Sequence, residues 1–256
     1  MIHPTAVVDA RAEIGECVEI GAYSIVERDV RIGDGTKIGP HVVVRGPTRI
    51  GEANRIFQFC SIGDDPQDKK YAGESTRLEI GDRNTIREGC TINRGTVQDL
   101  GYTRLGNDNW IMAYCHIAHD CVLGDHLILA NNATLGGHVV VDDYAVLGGF
   151  SGVHQFCSIG RYAFLGMFSA VSRDIPPFVT VSGNPARPRG INAEGMKRHG
   201  FSADQIQLVR RAYRVLFRSG LKLVDARAEL ESLLEGEPAL KPLVEFIGRV
   251  RRGVVR

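Results

Sequence analysis

From Leu105 to Val171 an aliphatic residue stands at every sixth position: Leu105, Ile111, Ile117, Leu123, Leu129, Leu135, Val141, Leu147, Val153, Ile159, Leu165 and Val171. The residue two before each is usually small, as at Ala133, Ala145, Ser151, Cys157, Ala163 and Ser169, and the residue after is often glycine. A period of six fits neither a helix at 3.6 nor a simple alternating strand, so the repeat is itself the structural unit. Each hexapeptide is predicted to be one short strand with its turn. The aliphatic and small residues point inward, and glycine relieves crowding where the chain bends. Three strands close one coil, residues eighteen apart stack, and the result is a parallel β-helix.

The period starts at Ile2 and continues through Val8, Ile14, Ile20, Val26, Ile32, Ile38, Val44, Ile50, Ile56 and Ile62. Asp68 and Glu74 then occupy two aliphatic positions before the pattern returns at Ile80, Ile86 and Ile92. Residues 64–76 are therefore expected as a polar loop expelled from one coil, the usual place for function on a regular scaffold. The step from Ile92 to Leu105 is thirteen, one more than two repeats, which predicts a second excursion near 97–104. The pattern fails at Pro176-Pro177, and Gly183-Asn-Pro185 is expected to close the solenoid, giving a β-helical domain over 1–186.

Residues 187–256 are expected to form a small α-helical domain. Ser202-Ala-Asp-Gln205 is a capping-box pattern opening a helix with Ile206, Val209, Tyr213, Leu216 and Phe217 on one face and Gly220 at its end. Further helices are predicted at about Leu223 to Leu234 and Pro242 to Arg251. This region carries fifteen Lys and Arg against eight Asp and Glu, whereas the whole chain is +1, so the solenoid is left at −6. The basic segment is either a solvated helical face or a docking surface for an acidic protein. Near-neutral overall charge argues against a nucleic-acid binder. With no signal peptide and no run of about eighteen apolar residues, no membrane insertion is expected, and the protein should be cytoplasmic. Cys60, Cys90, Cys115, Cys121 and Cys157 all fall at the inward small position and are expected as buried reduced thiols, with only Cys17 out of phase.

His116, His119, His138 and His154 lie in the second half of the solenoid, none in an inward phase. Stacking by eighteen places Gly137 and Gln155 above His119, with His138 and His154 beside that line, so one outer patch with Asp120 is predicted. Two chemistries could use it. A neutral His could take the proton from a hydroxyl attacking a thioester. Alternatively, three imidazoles could bind zinc and activate water, as in carbonic anhydrases built on similar coils.

Long segments in fixed order resemble the UDP-N-acetylglucosamine O-acyltransferases that begin lipid A biosynthesis. They are Gln67-Asp-Lys-Lys-Tyr-Ala-Gly-Glu74, Thr91-Ile-Asn-Arg-Gly-Thr96, His116-Ile-Ala-His-Asp-Cys121, Ala130-Asn-Asn-Ala-Thr-Leu-Gly-Gly-His138, Val153-His-Gln-Phe-Cys157, Gly183-Asn184 and Asn192-Ala-Glu-Gly-Met-Lys-Arg198. The resemblance implies a left-handed β-helix, an exception to the usual crossover hand, and a homotrimer with active sites between subunits. It implies transfer of a (3R)-3-hydroxyacyl group from acyl carrier protein to the 3-hydroxyl of UDP-N-acetylglucosamine, without metal or bound cofactor. By motif, His119 is the general base, Asp120 its neighbour, and the Gly137 amide the oxyanion donor. Asp68, Lys70, His116, His138, His154 and Gln155 would hold the sugar and pantetheine, while Asn192, Glu194 and Arg198 would bind the nucleotide. Acyl carrier protein is acidic, which favours the docking role for the basic helices.

Three positions are informative against the family pattern. Relatives commonly carry His where this chain has Asn93, so no proton transfer is assigned there, and His199 replaces a frequent Arg. Met167, where some relatives have Gly, implies shorter acyl chains such as 3-hydroxydecanoyl. The sister enzymes that N-acylate a later intermediate normally carry an N-terminal uridine-binding domain, which is not expected here because the coils start at residue 2. Acylation of a 3-amino UDP-sugar stays open as an alternative.

Overall fold

The computed structural model describes residues 1–234, 237–238, 241–250 and 252–256. Two- to four-residue strands follow one another around a three-sided prism. Face I contains Val7–Val8 and its successors, face II Glu13–Ile14 and its successors, and face III Glu19–Ile20 and its successors. Each strand pairs in parallel with the strand one coil on: Val7 with Ile25, Ile111 with Leu129, Leu135 with Val153. The offset is the predicted eighteen, and the winding is left-handed. From Ile20 onward the repeat aliphatics are buried, as are the five in-phase cysteines, while Cys17 is exposed.

The corners turn by a different device from the one the glycines suggest. Tyr114, Asp120, His126, Asn132, His138 and Tyr144, six apart, all have φ between 57° and 63°. Each costs roughly 1 kcal/mol of left-handed strain, which the repeated hydrogen bonding of the coils must outweigh. The glycines after the aliphatics instead permit close approach between coils: a Cβ on Gly124 would meet Asp143 Oδ1 at 2.1 Å, and one on Gly148 would meet Leu165 O at 2.5 Å.

A polar column runs through the interior beside face III. Asn84 Nδ2 donates to Asn54 Oδ1 (3.0 Å) and to Gly106 O (2.9 Å), and Asn84 Oδ1 accepts from Asn109 N (2.9 Å). Asn54, Asn84 and Asn109 are all buried. They satisfy backbone groups across the coils where the chain departs from regular length, a buried network whose members depend on one another.

Both departures leave the corner between faces I and II. Ile62 pairs with Ile92, an offset of 30, so twelve extra residues are expelled between strands Ser61–Asp64 and Arg77–Ile80, as the two missing aliphatics predicted. Leu78 pairs with Thr103, an offset of 25, so the second excursion adds seven residues between Thr91–Asn93 and Tyr102–Leu105. The step from Ile92 to Leu105 therefore crosses one face, not the two that a thirteen-residue count suggests. Sequence period alone cannot separate these, because six residues of loop and six of strand have equal length.

Val179–Ser182 ends face III, and Arg187–Ile191 adds to it antiparallel, so the helical part begins only at Ala193. Helix α1 spans Ala193–Arg198, α2 Ala203–Arg218, α3 Leu223–Leu233 and α4 Lys241–Gly248. The α2 capping box between Ser202 and Gln205 is formed as predicted. Ile206, Val209 and Leu216 enter a helical core with Met196, Leu230 and Phe246, while Tyr213 and Phe217 pack on the solenoid core. The short α1 was not separated from the motif containing it, and α4 ends at Gly248, short of the predicted end at Arg251, which itself lies outside the described residues. The tail returns to the solenoid: Val254 bridges Asp174, and Val255 N donates to Asp174 O (3.0 Å), covering an open strand edge. No helix among the described residues is long and apolar enough to cross a membrane.

Asn84→Ala should lower stability by about 3 kcal/mol, because it orphans the buried Asn109 N–H and removes the donor to the part-buried Gly106 carbonyl. Chemical denaturation of the purified variant measures this, and a change below about 1 kcal/mol would mean that the column is not structurally required.

Candidate active site

The I–II corner gathers most of the chemistry expected from sequence. His116 lies at the end of face I, and His119 and Asp120 turn the corner. Gly137 and His138 occupy the next coil, and His154 and Gln155 the one above. The two excursions, one bearing Asp68 and Lys70, leave the same corner on the coils beneath.

His119 and Asp120 form a direct pair, with Nδ1 2.9 Å from Oδ2. Asp120 is buried, and Thr96 holds it with its backbone N–H (3.0 Å) and its hydroxyl (2.6 Å). The Thr103 hydroxyl accepts from Asp120 N at 2.8 Å. Burial pushes the Asp120 carboxyl up, but hydrogen bonds from His119 and Thr96 outweigh it and its pKa is lowered. An ionised carboxylate only accepts hydrogen bonds, so it fixes Nδ1–H of His119 toward itself and leaves Nε2 free to take a proton.

The ring of His119 lies over Gly137: a Cβ there would meet His119 Cε1 at 2.6 Å and Nε2 at 2.7 Å. Only glycine admits the imidazole in this pose. Among the described residues the Gly137 N–H donates to no protein acceptor, while Gly137 O accepts from Phe156 N (3.1 Å). A free backbone donor beside a basic nitrogen is the arrangement that an oxyanion needs.

His138 stacks on Phe156 at 4.2 Å between centroids and meets His119 edge-on at 5.0 Å. Its Nδ1 lies 2.7 Å from Asp99 Oδ2, a partner from the second excursion. His116 Nδ1 lies 2.7 Å from Thr91 Oγ1, and burial, aided by repulsion from the neighbouring imidazole of His119 when both rings are protonated, pushes the His116 pKa down. His154 is exposed, with Nδ1 3.1 Å from Gln155 O and 3.3 Å from Arg252 Nη2. Among the described residues, His119, Asp120 and His138 form the one group whose ligating atoms fall within 4.8 Å of one another. That is two imidazoles and a carboxylate rather than the three imidazoles expected for a carbonic-anhydrase-type zinc site.

The first excursion is tethered by Arg94, a buried side chain that sequence reasoning passed over inside the Thr91–Thr96 motif. It donates to Gly63 O (2.6 Å) and Tyr71 Oη (3.0 Å) and pairs with Asp65. Asn93 donates to Asp65 O (2.8 Å), so this departure from the family's His serves the loop backbone. Asp68 accepts from Lys70 N (3.0 Å), and Lys70 itself is exposed. Thr96 and Asp99 were also missed. A seven-residue loop gives no sequence signal of which side chains fold back.

The remaining candidates lie elsewhere on the same chain. Asn192 caps α1, accepting from Gly195 N (2.9 Å) and donating to Tyr162 O (3.0 Å) at the II–III corner. Its amide is committed to presenting α1, on which Glu194 pairs with Lys197 (3.0 Å) and Arg198 is exposed. His199 packs against Tyr144 (4.8 Å) and Tyr162 (5.4 Å). Met167 is 62% exposed at the III–I corner. No single chain joins these residues to His119.

The family described as UDP-N-acetylglucosamine O-acyltransferase, domain 2, matches residues 174–255, and that described as bacterial transferase hexapeptide (six repeats) matches residues 102–137. The acyl-(acyl-carrier-protein)–UDP-N-acetylglucosamine O-acyltransferase of Janthinobacterium sp. (strain Marseille) is 59% identical over 100% of this chain and 99% of its own. The enzyme of that name from Neisseria meningitidis serogroup A is 54% identical at the same coverage. The solved structure of LpxA from Acinetobacter baumannii superposes with a TM-score of 0.98 at 49% identity, covering 100% of this chain and 99% of that one. With this fold and corner geometry, the chain belongs to the UDP-N-acetylglucosamine O-acyltransferase family.

Proposed function

We propose that this protein transfers a (3R)-3-hydroxyacyl group from acyl carrier protein to the 3-hydroxyl of UDP-N-acetylglucosamine, the first step of lipid A biosynthesis. The observation that carries the mechanism is the Asp120–His119 pair, whose ring packs against Gly137, a residue whose N–H meets no acceptor among the described residues. His119 Nε2 takes the proton of the sugar hydroxyl as its oxygen attacks the thioester carbonyl. General-base catalysis of this kind contributes about 10² to 10⁴ in rate. The Gly137 N–H meets the oxyanion, a contribution of roughly 3 kcal/mol. As the intermediate collapses, the C–S bond breaks and the thiolate of the carrier recovers the proton from the imidazolium. Asp120 stays ionised and holds the ring throughout.

His116, His138, His154, Gln155, Asp68 and Lys70 would hold the sugar and pantetheine, and Asn192, Glu194 and Arg198 the nucleotide. Their division among separate corners supports a homotrimer in which one copy's I–II corner faces another copy's α1 and Met167. Exposed Arg210, Arg211, Arg214 and Arg218 on α2 support docking of the acidic carrier near the cleft. Unpaired buried cysteines fit the reducing cytoplasm. The mechanism uses no metal and no bound cofactor.

Purified enzyme with hydroxyacyl carrier protein and UDP-N-acetylglucosamine should yield the O-acylated nucleotide by mass spectrometry, at a rate unchanged by EDTA. Loss with chelator and recovery with zinc would point to metal chemistry instead. His119→Ala should lower kcat by about 10³ or more while the assembly and nucleotide binding persist. Substantial turnover by that variant would remove the base assignment. Met167→Gly should shift relative kcat/KM toward longer hydroxyacyl donors by about tenfold, the worth of one or two buried methylenes. An unaltered chain-length profile would detach Met167 from the acyl site.

A further inference from the structure

The excursion between Asn93 and Tyr102, which adds seven residues to its coil, does more than fill a corner. Its entrance is pinned by Thr96, whose N–H and hydroxyl both bind Asp120, and by Gly101 N donating to Thr96 O (3.0 Å). Between these anchors Asp99 leans across two coils to reach His138 Nδ1 at 2.7 Å. One loop thus supplies the clamp behind the first imidazole and the direct partner of the second. We propose that Asp99 is a positioning residue for acyl transfer: its carboxylate holds the His138 ring with Nδ1–H inward and presents Nε2 as a hydrogen-bond acceptor for a hydroxyl or amide N–H of the bound substrates. This rests on the reading above that His138 holds substrate.

The surroundings of His138 leave the ring little other freedom. Phe156 covers one face, the His119 ring stands perpendicular to it at 5.0 Å between centroids, and Asp120 Oδ2 is 3.9 Å from Nδ1, too far to replace Asp99 as the acceptor. A cavity of about 230 Å³, lined by Asp99, Leu100, His138, Phe156 and Arg249 among others, adjoins the pair. A carboxylate offers no donor, so the tautomer is set by Asp99 rather than by the substrate.

The test is a double-mutant cycle on kcat/KM with D99A, H138A and the double variant, with D99N as a milder change that keeps an acceptor oxygen. D99A is expected to lose roughly tenfold, the usual scale for deleting a charged hydrogen-bond partner, and D99N less. In the H138A background D99A should cost under about twofold, because Asp99 acts through that ring. Nitrogen-15 spectra of histidine-labelled enzyme should show His138 protonated at Nδ1, moving toward the Nε2–H form in D99A. Equal losses in both backgrounds, or an unchanged tautomer in D99A, overturn the positioning role while leaving His138 in the site. Wild-type activity in H138A instead overturns the assignment of His138 on which the proposal rests.

Discussion

The backbone hydrogen bond from one coil to the next, repeated at an offset of eighteen residues, is the constraint from which the rest of this molecule follows. It fixes the vertical spacing at about 4.8 Å. With three strands per turn, the coil length cannot change by one residue without moving every inward side chain off its column. Extra chain can only be expelled at a corner. Both expulsions occur at the I–II corner on neighbouring coils, and the interior Asn54–Asn84–Asn109 column closes the backbone accounting at those levels.

The same winding makes the site. Asp120, His138 and Phe156 are left-handed corner residues stacked in register, so their strained φ belongs to the architecture and is shared by corners with no candidate chemistry. What distinguishes this corner is what leans on it: the second excursion brings Thr96 to Asp120 and Asp99 to His138. Gly137 meets the requirement for space beneath the His119 ring. A rigid ladder thus sets the spacing of the imidazoles, and one loop contacts the partner of the first and the ring of the second.

Around the prism the remaining candidate residues are held just as firmly but apart. The α1 segment is capped by Asn192 against Tyr162 at the II–III corner, and Met167 stands at the III–I corner. The helical cap is coupled to the solenoid through Tyr213 and Phe217 and through the tail at Asp174. Its basic surface is therefore fixed relative to the coils.

The periodicity was sufficient to specify strands, faces, buried cysteines, the eighteen-residue stacking and the twelve-residue loop, because an inward column tolerates only apolar or small residues and every violation is visible. The capping box of α2 was legible for a similarly local reason. The histidine cluster could be placed on one wall from register alone. Tertiary structure decided the rest: that Ile92 and Leu105 lie on successive faces, that Arg94 tethers the first loop, and that His154 meets Arg252 from the chain's tail. It also decided that Asp99 partners His138. These depend on where irregular chain folds back in space, and a repeat carries no information about residues that have left it.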